Sequence, residues 1–230
     1  EDYVAWCWKE SATAGFDIIS YTGTGSTTTI SHSLSAVPEM IILKNYVSSY
    51  EEGGPVYHVG MGNTHLMKIN ETAVATDSAV YWNDTTPTSS VFTVGSAGGV
   101  NEGSATIIAY AFAPIQGFSK FGSYTGGAAN FPFIYTGFKP AMLIIKGAVS
   151  GDGNAGQGWE LYDNKRNPGN GMTLTLFPNT TAAESDQVRV DFLSNGFKIR
   201  QNSDGVNDNN STYIYMAFAE APFVNSNGVP

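Results

Sequence analysis

Six side chains in two short segments have the residue types most often found at sugar-binding surfaces. They are Tyr81, Trp82 and Asp84 in the first segment and Trp159, Tyr162 and Asp163 in the second. An aromatic ring can stack on the face of a sugar ring, and a nearby carboxylate accepts hydrogen bonds from sugar hydroxyl groups. These six are candidate glycan-binding residues. Core or strand-edge aromatics beside solvated turn carboxylates remain the alternative interpretation.

No catalytic motif accompanies these residues in the sequence. A nucleophile elbow of the form G-x-S-x-G is missing, and so is a phosphate-binding G-x-x-x-x-G-K-[ST] loop. A glycosidase needs two carboxyl groups facing each other across a cleft, and the order of residues along the chain does not reveal such facing. We therefore predict a protein that is not an enzyme and needs no cofactor, with a glycan depolymerase as an alternative.

Metal ligands are also sparse. His32, His58 and His65 have no cysteine or carboxylate at ligand spacing, so we interpret them as surface or strand histidines that form hydrogen bonds. Residues 202–210 are rich in the oxygen ligands that calcium prefers, but they do not match an EF-hand loop. Because Asn, Asp and Gly are also the ordinary turn formers, we predict a hairpin turn there and no metal site.

Charge and composition exclude several partners. The formal net charge is −9, with 11 basic residues against 20 acidic ones, and a protein that binds nucleic acid or an anionic membrane needs a Lys/Arg surface. No apolar run is long enough to cross a bilayer, so no membrane insertion is expected. The single cysteine, Cys7, lies between two tryptophans in a predicted strand, which favours a packed thiol.

Self-comparison of the chain reveals an internal repeat with a period of about 100 residues. Residues 20–23 match 123–126, residues 37–44 match 139–146, residues 100–101 match 206–207, and residues 109–114 match 215–220. Residues 3–9 resemble the closing strand of each repeat. We therefore predict a closing strand or linker of a preceding unit at 1–14, a first repeat at 15–115 and a second at 116–230.

Each repeat is rich in strand signals. Short apolar or alternating segments are separated by Gly, Ser, Asn and Pro clusters at intervals of about 8–12 residues, and no window has the periodicity of an amphipathic helix. Such spacing is typical of sandwiches and barrels. The predicted fold class is all-β, with two tandem units that are β-sandwich-like or jelly-roll-like.

The assembled blocks resemble a repeat found in phage structural proteins, especially those of marine and cyanobacterial phages. The resemblance covers nearly the whole chain. It is carried by residues 3–9, 15–18, 30–34, 37–42, 81–84, 119–126, 162–168, 192–200 and 217–222. In such proteins this region often follows a concanavalin-like lectin domain, which implies that the chain is part of a longer protein.

This resemblance implies a virion component, either a tail-fibre protein or a capsid-surface protein, located at the virion surface or tail. The implied partners are other virion proteins and copies of the chain itself, as a trimer, together with a glycan of the host surface. The resemblance supplies no catalytic residues. A carbohydrate-binding module in a glycan-recognising protein of any origin is the alternative function.

Overall fold

The computed structural model describes residues 4–46, 53–151 and 158–220. Nearly all regular structure in these residues is β-strand, which confirms the predicted all-β class. The exceptions are a 3-10 turn at Ala12–Ala14 and two single-turn helices, α1 (Ala79–Trp82) and α2 (Gly98–Asn101). The described chain divides into two compact units. The first unit is Cys7–Pro114, and the second is residues 115–220 with residues 4–6.

Eight strands form two antiparallel sheets in the first unit. They are β1 (Phe16–Thr22), β2 (Thr28–Ser31), β3 (Met40–Asn45), β4 (Pro55–His58), β5 (Gly62–Lys68), β6 (Thr76–Asp77), β7 (Val91–Val94) and β8 (Thr106–Phe112). The large sheet has the order β1-β8-β3-β4-β5-β6, and β2 pairs with β7 in the small sheet. Buried Leu43 and Ala109 of the large sheet join Ile30 and Phe92 of the small sheet in one apolar cluster. The two sheets therefore share a single core.

Eight further strands form the second unit. They are β9 (Ser119–Thr125), β10 (Phe133–Tyr135), β11 (Met142–Val149), β12 (Trp159–Asp163), β13 (Met172–Thr175), β14 (Ser185–Leu193), β15 (Gly196–Ile199) and β16 (Thr212–Phe218). One sheet has the order β12-β11-β16-β9 and the other β10-β15-β14-β13. Leu143 and Tyr215 of the first sheet share an apolar cluster with Val190 and Phe197 of the second.

The central strands of the two units pair in the same register. In the first unit Phe112 lies opposite Phe16 on one side and opposite Met40 on the other. In the second unit Phe218 lies opposite Ser119 and Met142 in the same way. The sequence blocks that match between the repeats therefore occupy matching positions on the two ladders.

A fully buried asparagine closes the same loop in each unit. The side chain of Asn101 accepts a hydrogen bond from the amide of Thr24 at 2.8 Å and donates to the carbonyl of Gly95 at 2.8 Å. Asn207 accepts from the amide of Gly127 at 2.9 Å and donates to the carbonyl of Ala128 at 2.6 Å. Because a buried amide needs partners for both of its ends, each asparagine holds the loop that follows the first strand.

A tyrosine and a glycine complete this arrangement in both units. The hydroxyl of Tyr21 donates to the carbonyl of Val100 at 2.5 Å, and that of Tyr124 donates to the carbonyl of Val206 at 2.8 Å. Gly23 and Gly126 follow these strands, and a β-carbon at either one would overlap the backbone carbonyl of the opposing loop. Glycine is required there because the two backbones approach closely.

The N-terminal segment, residues 1–14, was expected to be a closing strand or linker of a preceding unit. Residues 4–10 form no strand, so the described part of this segment is not a closing strand. Trp8 packs on Phe112 with ring centroids 6.1 Å apart. The predicted packing of Cys7 is wrong: this residue is exposed, because without a strand neighbour its side chain has no layer to pack into. Residues 1–3 and 221–230 of the predicted domains lie outside the described residues.

Candidate functional site

The first group of predicted glycan-binding residues surrounds helix α1. Trp82 is only 2% exposed and packs edge-on against Tyr57 in the core, with ring centroids 5.9 Å apart. Tyr81 is half-buried against the same core. Asp84 is exposed in a left-handed turn with φ of 46°. The structure therefore leaves Asp84 and part of Tyr81 accessible, and it places the indole in the interior.

The second group lies on strand β12 and is buried throughout. Trp159 is 1% exposed, Tyr162 is 0% exposed and Asp163 is 2% exposed. Neither aromatic ring presents a face to solvent, so stacking on a sugar would require these side chains to leave the core. The structure therefore places all three side chains in the protein interior.

Asp163 closes the turn that follows its strand. One carboxylate oxygen accepts hydrogen bonds from the amides of Lys165 at 3.0 Å and Arg166 at 2.9 Å. The other oxygen pairs with the Arg166 guanidinium at 2.6 Å. A carboxylate with this many donors is a turn-closing group.

A buried cluster of polar side chains lies beside this strand. One carboxylate oxygen of Glu160 accepts a hydrogen bond from the Tyr162 hydroxyl, and the other pairs with the Arg189 guanidinium. The Glu160 side chain is 4% exposed and that of Arg189 is 13% exposed. A charge pair this deep is stable only if its remaining polar atoms also find partners.

The electrostatics of the cluster follow from its depth. Burial raises the pKa of the Glu160 carboxyl, and the nearby Arg189 guanidinium partly opposes that rise. Burial, and then the charge of Glu160, raises the pKa of Tyr162 well above its usual range. The tyrosine hydroxyl therefore stays protonated at neutral pH and remains a hydrogen-bond donor to Glu160.

An open pocket of about 420 Å³ extends from this cluster. Its wall includes Glu160 and Arg189, the half-buried ring of Phe177, and the polar segment 201–205. This segment begins at Gln201, just before the oxygen-rich stretch 202–210. That stretch, which we expected to be a hairpin turn, forms turns held by the buried side chain of Asn207. The pocket is therefore the candidate functional site of the second unit.

Most of the pocket residues were missed by the sequence analysis. Glu160 stands between Trp159 and Leu161 in a buried strand, and Arg189 stands between two valines. A charged residue inside an apolar strand was the available signal, since such residues are rarely buried without a partner. The sequence does not show that Glu160 of β12 and Arg189 of β14 form an ion pair.

The histidines form hydrogen bonds in separate places. His32 contacts the carbonyl of Thr88 at 3.1 Å, and His65 contacts the hydroxyl of Thr64 at 2.8 Å. His58 is buried at the end of β4. Among residues 4–46, 53–151 and 158–220, no three His, Cys, Asp or Glu side chains are grouped closely enough to hold a metal ion.

Within the described part of the chain, no helix is both long and apolar enough to cross a membrane.

Comparison with known proteins identifies a family without assigning a function. No curated protein matches the chain. Among solved structures, the major capsid protein P2 of bacteriophage PM2 is similar over 90% of this chain and 100% of its own, at 11% identity and a TM-score of 0.21. A likeness this weak carries no argument about fold or role. The model of a domain of unknown function, DUF7483, matches residues 1–222. The chain therefore belongs to the DUF7483 family.

Proposed function

We propose that this chain is a non-enzymatic structural module of a phage virion, within a tail-fibre or capsid-surface protein. The observation that carries the proposal is the duplication of one strand framework, with the same order and register in β1-β8-β3-β4 and β9-β16-β11-β12. Repetition of a unit lengthens a protein and multiplies its surface without a new fold. The resemblance of the sequence blocks to repeats of phage structural proteins supports the same role.

The proposed partners are other virion proteins and further copies of the chain, assembled as a trimer. Fibre proteins associate through closed rotational symmetry, and such symmetry buries matching surfaces of each copy. The acidic net charge of −9 argues against an internal role on packaged nucleic acid. We therefore place the module on the outer surface or tail of the particle.

The direct test is the protein composition of purified particles. Mass spectrometry of gradient-purified virions of the parent phage is expected to detect the chain at a fixed ratio to the major capsid protein, and gold-labelled antibodies should mark the tail or capsid surface. An abundant host cytosolic protein serves as the contamination control. A chain found in infected lysate but lost from purified particles would overturn the proposal.

The oligomeric state is tested separately. Multi-angle light scattering of the full parent protein is expected to give three times the mass of one chain. A monomer that persists when particles are gently disassembled contradicts the fibre form of the proposal, while a capsid-surface location survives that result.

A second candidate function, a carbohydrate-binding module, is favoured by the polar pocket beside Glu160 and Arg189. Such a module recognises glycan without any virion, so it predicts glycan binding together with absence from particles. Since Trp82 and Trp159 lie in the core, this candidate rests on the pocket and not on those rings.

A further inference from the structure

The pocket of the second unit combines the chemical groups that a sugar requires. Its volume of about 420 Å³ lies in the range of small-molecule sites, which is roughly 300–1,000 Å³. Phe177 supplies one apolar face, and Gln201 and Ser203 supply groups that form hydrogen bonds. One ring face beside a few convergent polar groups is the usual composition of an orienting site.

Arg189 and Gln201 line the pocket and are anchored inside the protein. Nη1 of Arg189 pairs with Glu160, and Nε2 of Gln201 donates to Gln187 at 3.2 Å. Nε of Arg189 and Oε1 of Gln201 have no partner among the described residues, but both atoms are buried and present no surface to the pocket. The groups that can meet an occupant are the second N–H of the Gln201 amide and the Ser203 hydroxyl.

The polar wall is held rigidly by groups that do not depend on the occupant. Tyr162 and Arg189 each hold one oxygen of Glu160. The Glu160 carboxylate lies so close to Gly205 that a β-carbon at that position would overlap it. A preorganised wall of this kind lowers the entropy that a small ligand must lose on binding.

The charge of the pocket disfavours an anion. The Glu160–Arg189 pair cancels internally, and Asp204 adds a further carboxylate at the exposed rim. Phosphates, nucleotides and acidic sugars would meet this unpaired negative charge in a chain that is already acidic. A hydroxyl group, in contrast, both donates and accepts, which matches the amide of Gln201 and the hydroxyl of Ser203.

We propose that this pocket binds one neutral monosaccharide unit of a glycan, stacked against Phe177 and hydrogen-bonded to the Gln201 amide and the Ser203 hydroxyl. The inference rests on the proposed function, because it names the ligand class of a surface that a virion module would present to its host. Both oxygens of Glu160 already accept hydrogen bonds from protein groups, so this carboxylate positions Arg189.

The first unit provides an internal comparison. The strand register places Pro55 where Glu160 stands, because Met40 faces His58 as Met142 faces Asp163. A proline cannot hold a guanidinium in place, so the described residues of the first unit have no equivalent of this charged wall. Sugar binding is therefore assigned to the second unit alone.

The test is saturation-transfer difference NMR on the full 230-residue chain. The probes are the methyl glycosides of glucose, galactose, mannose and N-acetylglucosamine, with glucuronic acid as an anionic comparison. At least one neutral glycoside is expected to bind. Gln201→Ala and Phe177→Ala should each raise its Kd about tenfold, the effect of losing one good contact.

Matched control variants distinguish loss of a pocket contact from a general loss of folding. Gln116→Ala and Phe133→Ala remove the same residue types at exposed positions of the second unit that do not line the pocket, and they should leave the Kd unchanged. Circular dichroism melts of all four variants verify folding. If Gln201→Ala fails to fold, Phe177→Ala still decides the outcome.

Several results would overturn the inference. They are binding by none of the neutral probes, binding that survives both pocket substitutions, and a preference for glucuronic acid. Release of new reducing ends from a host polysaccharide would instead identify a depolymerase and contradict the assigned role of Glu160. Detection of the chain in purified virions is independent of all these results, so failure of the sugar site and failure of the virion role are distinguishable.

Discussion

The two units share a four-strand framework and differ in what is attached to it. In the first unit β5 pairs with β4 and extends the large sheet, as Val56 faces Met67. In the second unit β13 pairs with β14 in the opposite sheet, and a single bridge between Leu161 and Leu176 links its end to β12 among the described residues. The duplicated framework is thus conserved in geometry, while the attached strands are rearranged.

This rearrangement explains why the pocket is found in the second unit. Strand β14 is nine residues long and carries Arg189, whose guanidinium meets Glu160 of β12. In the first unit the chain between β6 and β7 instead contains helix α1, whose Trp82 fills the core. The framework therefore supplies stability in both units, and the attached strands determine the local surface.

One position shows how a shared role can be met by different residues. His58 and Asp163 end equivalent strands, and each accepts a hydrogen bond from the amide two residues later at 3.0 Å. An imidazole nitrogen and a carboxylate oxygen close the same turn. Asp163, predicted as a sugar ligand, thus has the same turn-closing contact as its counterpart in the first unit.

The largest expected effect comes from removing the buried carboxylate of Glu160, whose position is occupied by Pro55 in the first unit. Glu160→Ala leaves Arg189 and the Tyr162 hydroxyl buried without their partner, and we expect a loss of about 3 kcal/mol in the free energy of unfolding. Urea denaturation measures the loss, and hydrogen exchange should place it in the second unit.

Glu184→Ala is the matched control for this change. Glu184 pairs with Arg166, but its side chain is 36% exposed, so the expected loss is below about 1 kcal/mol. Equal losses for the two variants would show that the depth of the Glu160–Arg189 pair has no special effect.

A smaller effect, of equal size in the two units, is expected from the buried asparagines. Asn101→Ala and Asn207→Ala each leave backbone groups of a loop without partners, and each should lower stability by about 2 kcal/mol. Hydrogen exchange should increase near residues 24–26 in the first variant and near residues 127–128 in the second. The exposed Asn209→Ala is the control. If only one of the two variants lost stability, the buried asparagines would not be equivalent, and the two units would match in their strands alone.

The smallest effect is a pH dependence at the pocket. Burial raises the folded-state pKa of Glu160 above the unfolded value, so its stabilising contribution is full below the unfolded pKa and is lost as pH rises through the folded pKa. As pH rises above the ordinary carboxyl pKa, the native chain should therefore lose stability relative to Glu160→Gln, as followed by thermal melts at several pH values.

Glu220 supplies a comparison of opposite sign. Its hydrogen bond from Lys165, with a further one from Asn164, lowers the pKa of its carboxyl. The native chain should therefore gain stability relative to Glu220→Gln as pH rises from the lowered pKa towards the ordinary carboxyl pKa, with no further gain above it. The same sign for both variants would mean that the burial of Glu160 does not control its titration.

Much of the fold could be predicted because its signals are local. Strands β7, β8 and β16 lie in alternating or continuous apolar segments between turn formers, which are strong strand signals. The segment at residues 4–10 shows the limit of that logic. It resembles a closing strand in sequence, but a strand also needs a neighbour, which local composition does not supply.

The candidate site was less predictable because its chemistry is not local. Tyr81, Trp82 and Trp159 have suitable residue types for a sugar platform, yet packing buries the two indole rings. Whether an aromatic side chain faces the core or solvent depends on which sheet covers it, and residue type does not settle that choice.

By itself, the sequence determined the all-β class, the duplicated blocks and the turn residues, because these depend on backbone preferences and side-chain periodicity. Only the tertiary structure decided which polar groups meet. Asn101 reaches Thr24 across 77 residues, and Arg189 reaches Glu160 across 29. Strand pairing and sheet packing bring such groups together. Their burial lowers the local dielectric constant, which strengthens their hydrogen bonds and charge interactions.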